Sequence, residues 1–503
     1  MPPSSGYRDN GVRWVLLGVK SDRASFGSEI VSDLEKQPRR VAIIGGGITG
    51  LSTAYRLLEI APDCQITLFE SKSRLGGVVS TLHEKGYQIE QSADNFITTV
   101  PWGIDLCKRL GLGSELIHTN PAFRQTFVVR KGKLHKLPDG FMMMAPSRMW
   151  PLAVSPILSP LGKLRASVEY FLPPRRSEED ESMAGFVCRR LGRQVFDRLV
   201  EPLVSAVYAA DMEKLSLAAT LSQFREMERK HGSLIRAMRH RMKSASKAAS
   251  TDSGPRYSMF VTPRNGLSSI VHAIAGRLPQ GAARLVAPVE RIVRQPQGWL
   301  VSAGKSSPEL FDAVILATPS HVAANLLRPA DAQLAADLAS IEHSGTAILS
   351  VGYRREQIDH PLDGMGVVVP AIEQSPLLAC SFSSQKYVHR APEGQVLLRI
   401  FAGGARHPEL AEMDDEKLQP LLLAEVDKLL GVHGEPVYRN VAHWPGTMPQ
   451  YHVGHLALVA RIEARVAQIP GLALAGNAFH GVGIPHCIHS GQSAAEKILN
   501  RAP

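Results

Sequence analysis

The sequence predicts an α/β (α+β) protein: a Rossmann-type βαβ unit, a helical middle and a mixed-sheet region, with the chain returning to the first unit at its C-terminus. Three observations predict it. Val41-Ala42-Ile43-Ile44 is a short apolar run of the kind that forms a buried parallel strand. It leads into Gly45-Gly46-Gly47-Ile48-Thr49-Gly50, a helical stretch from Leu51 to Glu59, and a second strand, Gln65 to Phe69, that ends at Glu70. Further along, strand-like segments at Ala283–Val293, Trp299–Ala303, Ala313–Ala317 and from Ala347 to Ala402 contrast with helical patterns between about residues 125 and 260.

Within the helical middle the pattern predicts helices over Met183–Leu191, Gln194–Tyr208 and Leu215–Met242. The last is basic, with Arg225, Arg229, Lys230, Arg236, Arg239, Arg241 and Lys243. A solvated face accounts for such a charge run; contact with an anionic membrane surface is the other reading. Ser244 to Gly254 reads as a loop. Phe141 to Leu164 is apolar but interrupted by Pro146, Pro151, Pro156 and Pro160, so it can touch a membrane without crossing it as a helix. At the C-terminal end Leu472 to Leu499 reads strand, loop, helix.

The 503 residues are 44% hydrophobic and 21% charged, which suits two or three folded domains and argues against general disorder. The net charge of +10 favours anionic partners. No dense Arg/Lys block is interleaved with aromatics, so no nucleic-acid partner is expected. Cys64, Cys107, Cys188, Cys380 and Cys487 are odd in number and widely spaced, which suits reduced thiols rather than disulfides or zinc. Residues 1–38 read as an added tail; Val12 to Val19 lacks the cleavage site of a secretory signal.

A G-x-G-x-x-G run alone is weak. Here it follows a strand, opens a helix and is followed by Glu70 at the end of the next strand, the full context for dinucleotide binding. Gly45 permits the tight turn, Gly47 lets the backbone approach a pyrophosphate, and Gly50 lets helix and strand pack closely. The helix N-terminus supplies amide donors, and Glu70 can accept hydrogen bonds from ribose hydroxyls.

Glu70-Ser71-Lys72-Ser73-Arg74-Leu75-Gly76-Gly77 then resembles the Arg-x-Gly-Gly signature of the amine-oxidase-like flavoproteins. Gly476-Asn477-Ala478-Phe479, Gly481-Val482-Gly483-Ile484-Pro485 and Ser490-Gly491 resemble the segment that closes those folds on the flavin. The resemblance implies FAD. It narrows to the oxygen-dependent protoporphyrinogen oxidase family through short patches kept in order. Among them are Lys133 to Pro138, Phe186 to Ala209, Pro263 to Leu267, Gly366 to Pro370, Phe401 to Gly404, Met448 to Tyr451 and Cys487 to Gly491.

This resemblance implies FAD-dependent, six-electron oxidation of protoporphyrinogen IX, or of coproporphyrinogen III, in haem biosynthesis. Molecular oxygen is the acceptor and peroxide the by-product. It carries cofactor contacts over to Gly45, Gly46, Gly47, Ile48, Thr49, Gly50, Glu70, Ser71, Arg74, Gly76, Gly77, Ser92, Ala93, Asp94, Asn95, Val289, Trp444, Gly476, Val482, Gly483 and Ile484. It places an apolar clamp for the macrocycle on Val368, Leu378 and Phe401. Thr126 falls where some members hold a propionate with arginine; Arg124, read as lying on the same strand face, and Arg130 are the nearby cations. No metal site is expected.

The implied organisation is a tail at 1–38, FAD-binding parts at 39–122, 259–330 and 446–503, a helical membrane-facing region at 123–258 and a substrate domain at 331–445. A cytoplasmic enzyme peripherally attached to the membrane follows, its assembly open, a homodimer included. Two other readings share the first motifs: an amine oxidase or desaturase, and a non-catalytic binding protein like the GDP-dissociation inhibitors. The C-terminal motif argues against the first, and Arg74, Gly76 and Gly77 against the second. His480, His486 and His489 read as loop and surface histidines ahead of a proton shuttle.

Overall fold

The computed structural model describes residues 39–248 and 259–500. The tail expected at 1–38 and most of the loop expected after Ser244 lie outside them; the preceding helix runs to Ala248.

The first layer is a five-stranded parallel sheet in the order Ala283–Arg284, Gln65–Phe69, Arg40–Ile44, Ala313–Leu316, Leu472–Leu474. After the entry residues Arg40 and Gln65 its central strands are almost entirely apolar because both faces are covered. Val41 and Ile43 pack with Leu51, Leu57 and Ile488 of two helices, Ile48–Ile60 and Ile484–Asn500. Ala42 and Ile44 face the opposite core, with Trp299, Leu327 and Ile462. The expected strand Ala283–Val293 is two strands in different sheets. Val286, at φ +52°, turns the chain, and Val289–Gln295 begins a separate three-stranded sheet.

The second layer is a seven-stranded sheet, in the order Tyr438–Pro449, His343–Arg354, Gln395–Gly403, Leu377–Phe382, Gly366–Val368, Thr126–Arg130, Lys133–Lys136. One face packs on the helix Asp415–Leu430 through Leu418, Leu422, Val426 and Leu430. The other face packs on the helical region at Val128 and Val368 and carries a separate cluster of Ile348, Phe401, Ala442 and Trp444.

A helical region builds a third core around Phe186, Leu199, Leu217 and Met238. The predicted helix Met183–Leu191 forms as such. The one expected over Gln194–Tyr208 contains a π-turn, Phe196–Val200, just before Pro202, whose missing N–H interrupts the regular ladder. The single helix expected over Leu215–Met242 is instead three: Leu217–Thr220, Ser222–His231 and Leu234–Ala248. Gly232 closes the second in the left-handed region, φ +71°. The third starts on a buried anion: Glu169 accepts the N–H groups of Leu234 and Ile235 and the Ser233 hydroxyl, and is paired with fully buried Arg190. Hydrophobic periodicity continues across these breaks, so it could not reveal them. No described helix is long and apolar enough to cross a membrane.

Candidate cofactor and substrate site

The glycine loop is built as its sequence requires. Gly45 has φ +108°, and a Cβ there would lie 2.6 Å from the Ala317 carbonyl oxygen. A Cβ on Gly50 would lie 1.9 Å from the Gly45 oxygen, so only glycine lets helix and turn meet. Gly47, by contrast, faces open space apart from the Gly77 Cα at 3.9 Å. The second loop crosses here: Gly76 N donates to Gly46 O at 2.8 Å, with Gly76 at φ +104° and Gly77 at φ +60°.

Arg74 donates to Leu75 O at 3.2 Å and Gly77 O at 2.8 Å, so it pins this crossing as well as bringing positive charge to it. Burial lowers its pKa, opposed by the charge of Glu70. The Glu70 carboxylate accepts from Gly46 N at 2.7 Å and Lys72 N at 2.8 Å, with the Ser71 hydroxyl beside it. The helix Ile48–Ile60 starts with no side-chain cap and no acidic residue in its first turn, while Ile48 and Thr49 are buried. Its first N–H groups therefore remain as donors. Uncapped donors, an open glycine wall and a carboxylate fixed at the next strand end fit a dinucleotide.

The C-terminal segment comes to the same place. A Cβ on Gly491 would lie 2.3 Å from Thr49 O, and the Thr53 hydroxyl, bonded to Thr49 O at 2.9 Å, also reaches Gly491 O at 3.1 Å. Gly476 N donates to the Ser490 hydroxyl at 3.0 Å. Val482 packs on the helical core, Gly483 O accepts from Cys487 N, and Ile484 enters the core of the first sheet.

Sequence reasoning gave no role to the brace behind this segment. Tyr451 donates its hydroxyl hydrogen to Asn477 O and accepts from Gly481 N at 2.9 Å. His455 stacks on it at 3.9 Å and contacts Phe479 O at 3.2 Å. Burial pushes the His455 pKa down to about 4, so it is neutral near pH 7. The signal was present in the patch Met448 to Tyr451 but carried no chemistry by itself. The three C-terminal histidines diverge: His480 pairs with Glu463 at the surface, while His486 and His489 pack on Trp102.

Ser92, Ala93, Asp94 and Asn95 form a clasped segment. Ser92 bonds Val78 O at 2.6 Å, Lys386 holds Asp94 at 3.0 Å, and Asn95 donates to Asp94 at 2.7 Å. Trp444 Nε1 donates to Gln91 O at 2.6 Å. Val289 lies half-buried at a β-bulge, packed on the core next to Ala287, whose N–H bonds Glu70 O.

On the face of the seven-stranded sheet away from the helix Asp415–Leu430, strand register aligns one row: Val128, Val368, Ala379, Phe401, Ile348 and Ala442. Residues opposed across neighbouring strands share a face, so Val368 and Phe401 line the same wall. Leu378 sits at a bulge between Leu377 and Ala379, its carbonyl accepting from Val369 N. Val368 belongs to the helical core and Phe401 to a cluster with Trp444. The row thus runs from the helical region to the cofactor cradle.

Arg124 requires a correction. It is exposed in a helical turn (φ −80°, ψ −8°) before the strand begins at Thr126, because Asn120-Pro121 starts a short 3-10 turn there. Arg130, two steps from Val128, is the arginine that shares the face of Thr126, and its Nε is buried without a hydrogen-bond partner. Among the described residues no group of three His, Cys, Asp or Glu side chains is arranged to hold a metal.

The fold and cradle define a flavoprotein: residues 48–499 match the model of the flavin containing amine oxidoreductases, and the chain belongs to that family. FAD is the flavin of this family, and a cradle with uncapped helix donors and a carboxylate fixed at the next strand end fits its dinucleotide.

Within the family, the chain is 32% identical to a coproporphyrinogen III oxidase of Bacillus subtilis (strain 168) over 466 residues, 92% of this chain and 98% of that one. It is 29% identical to a chloroplastic protoporphyrinogen oxidase of Nicotiana tabacum, over 91% of this chain and 84% of that one. The solved structure of an Exiguobacterium sp. 255-15 protein, 31% identical, superposes with a TM-score of 0.83 over 92% of this chain and 99% of that one.

Proposed function

We propose that this chain oxidises a porphyrinogen to the porphyrin in haem biosynthesis, with oxygen as the electron acceptor. The observation that carries the reading is the apolar row ending at the cofactor cradle, in a chain similar along nearly its whole length to porphyrinogen oxidases. Bound FAD supplies the capacity to take a hydride from carbon and pass electrons to oxygen. The protein's part is to place and enclose the substrate. Val368, Leu378 and Phe401 offer apolar and aromatic wall to a flat macrocycle, and Arg130 and Thr126 stand at the edge where a propionate would lie. No acid–base dyad is invoked. Six hydrogens leave in three two-electron turns, each reducing one oxygen to peroxide.

Coproporphyrinogen III is the favoured substrate, since identity to the B. subtilis relative exceeds that to the tobacco one. Aerobic assays with the two porphyrinogens side by side, following porphyrin fluorescence and peroxide, test this. Faster turnover of protoporphyrinogen IX would reverse the preference; inactivity with both would refute the function.

The same reading includes peripheral contact with an anionic membrane on the cytoplasmic side. Helices Met149–Val154 and Pro160–Val168 expose Trp150 (76%), Leu161 (78%), Leu164 and Val168, with Phe171 (78%) beyond them. Leu161, Leu164 and Val168 share one helical face, and Arg236 and Arg239 stack nearby over Tyr170. Apolar side chains rimmed by arginine suit a lipid surface.

A further inference from the structure

Behind the clasped segment Ser92–Asn95, the partly exposed pair Asp94 and Lys386 adjoins three buried charges, Arg399, Arg390 and Glu90. Arg399 lies two residues before Phe401 on the same strand, hence on the same face, and is 1% exposed. It donates to Ser92 O through Nη2, its Nη1 lies 3.5 Å from Asp94 Oδ2, and its guanidinium carbon is 5.1 Å from the Phe401 ring centroid. Asp94 is shared with Lys386 at 3.0 Å, and buried Arg390 holds buried Glu90 at 2.9 Å. Three cations thus meet two carboxylates, leaving one net positive charge.

An uncompensated buried charge is strongly unfavourable, and Arg399 Nε is buried without a hydrogen-bond partner. Such a cluster calls for a negative charge in the working state. The geometry limits where that charge sits. Glu70 marks the ribose end of the cradle and the helix at Ile48 the pyrophosphate. Beyond Gly77 the chain runs to Val78 and Ser80, which bond Ser92 and Gln91. The far half of the dinucleotide is therefore directed toward the segment that Arg399 grips.

We propose that Arg399, tempered by Asp94, is the electrostatic counterpart of the reduced flavin. The proposal rests on the flavin reading of the site. A hydride brings two electrons and one proton to the neutral oxidised ring, which then carries one negative charge; the substrate's second proton leaves separately. A fixed buried positive charge favours the reduced form. Arg399 is thus a positioning residue for Ser92 and Phe401 and also sets the flavin potential.

The experiment is the midpoint potential of the bound flavin, by dye-equilibrated reduction, in flavin-loaded wild type, Arg399→Gln, Arg399→Lys and Asp94→Asn. Removing the cation should weaken the preference for the reduced flavin about tenfold, a fall of about 30 mV for a two-electron couple. Asp94→Asn should raise the potential, and Arg399→Lys should stay near wild type. Opposite signs are the signature of charge. A shift of both neutral variants in the same direction, or an unchanged potential in flavin-loaded Arg399→Gln, would overturn the proposal. If Arg399→Gln does not fold, Lys386→Met removes a charge from the same cluster and should also lower the potential; no fall there would overturn it. A wild-type protein that takes up no flavin would instead overturn the flavin reading beneath it.

Discussion

Gly491→Ala tests how the cradle is held together. The new methyl would lie 2.3 Å from Thr49 O and 2.8 Å from the Thr53 hydroxyl. Ordinary carbon contacts begin at about 3.5 Å, so the helices Ile48–Ile60 and Ile484–Asn500 must part by about 1 Å. Neither neighbour is a flexible side-chain end: one is backbone, and Thr53 is tied to both helices. Overpacking of this kind costs about 1–3 kcal/mol. Because the same helices bring the two halves of the site together, the cost should fall largely on cofactor binding, which is about 5- to 150-fold in affinity. The assay is flavin retained through gel filtration, with melting curves taken with and without added FAD. Gly113→Ala, where the added methyl meets Lys108 atoms no nearer than 3.4 Å, is the control. Wild-type flavin retention and melting in Gly491→Ala would refute the argument.

Other outcomes follow from the same geometry. Arg74→Ala should release flavin about tenfold more readily, since it loses both the loop pin and the charge at the cradle; unchanged flavin content would contradict this. Phe401→Ala should lower kcat/KM at least tenfold while flavin content stays near wild type, and loss of flavin instead would make Phe401 a structural residue. His455 has its folded pKa depressed to about 4 from an ordinary 6.5. The unfolded chain therefore binds the extra proton, and stability present above pH 6.5 should fall as the pH drops toward 4. His455→Gln should flatten that slope by about one proton in pH-dependent urea melts; an unchanged slope would place the titration elsewhere. Leu161→Glu with Leu164→Glu should abolish co-sedimentation with anionic vesicles and leave turnover of dispersed substrate unaltered, and retained binding would point away from this face.

The βαβ unit was legible because its rules are local: a strand, three glycines at fixed spacing and a carboxylate at the next strand end. Gly45, Gly50 and Glu70 stand as the spacing requires. The meeting of residues near 45 with those near 490 was legible only through resemblance, since no local rule joins Thr49 to Gly491. Arg124 and Arg130 could not be told apart from sequence. Two-residue spacing means a shared face only inside a strand, and the turn at Asn120-Pro121 delays the strand to Thr126. The break at Gly232 escaped because helical periodicity runs on across it. The brace of Tyr451 and His455 joins residues 24–30 positions apart and Arg399 reaches Ser92 across 307; both are products of tertiary packing that no local pattern encodes.

The central claim is that a porphyrinogen delivers its electrons to a flavin held in this cradle. The direct measurement is anaerobic mixing of the yellow protein with coproporphyrinogen III or protoporphyrinogen IX. The account predicts bleaching of the flavin band, matched by porphyrin fluorescence, and recovery of the yellow colour on admitting air. A flavin that stays oxidised with both porphyrinogens yet bleaches with an amine would contradict it.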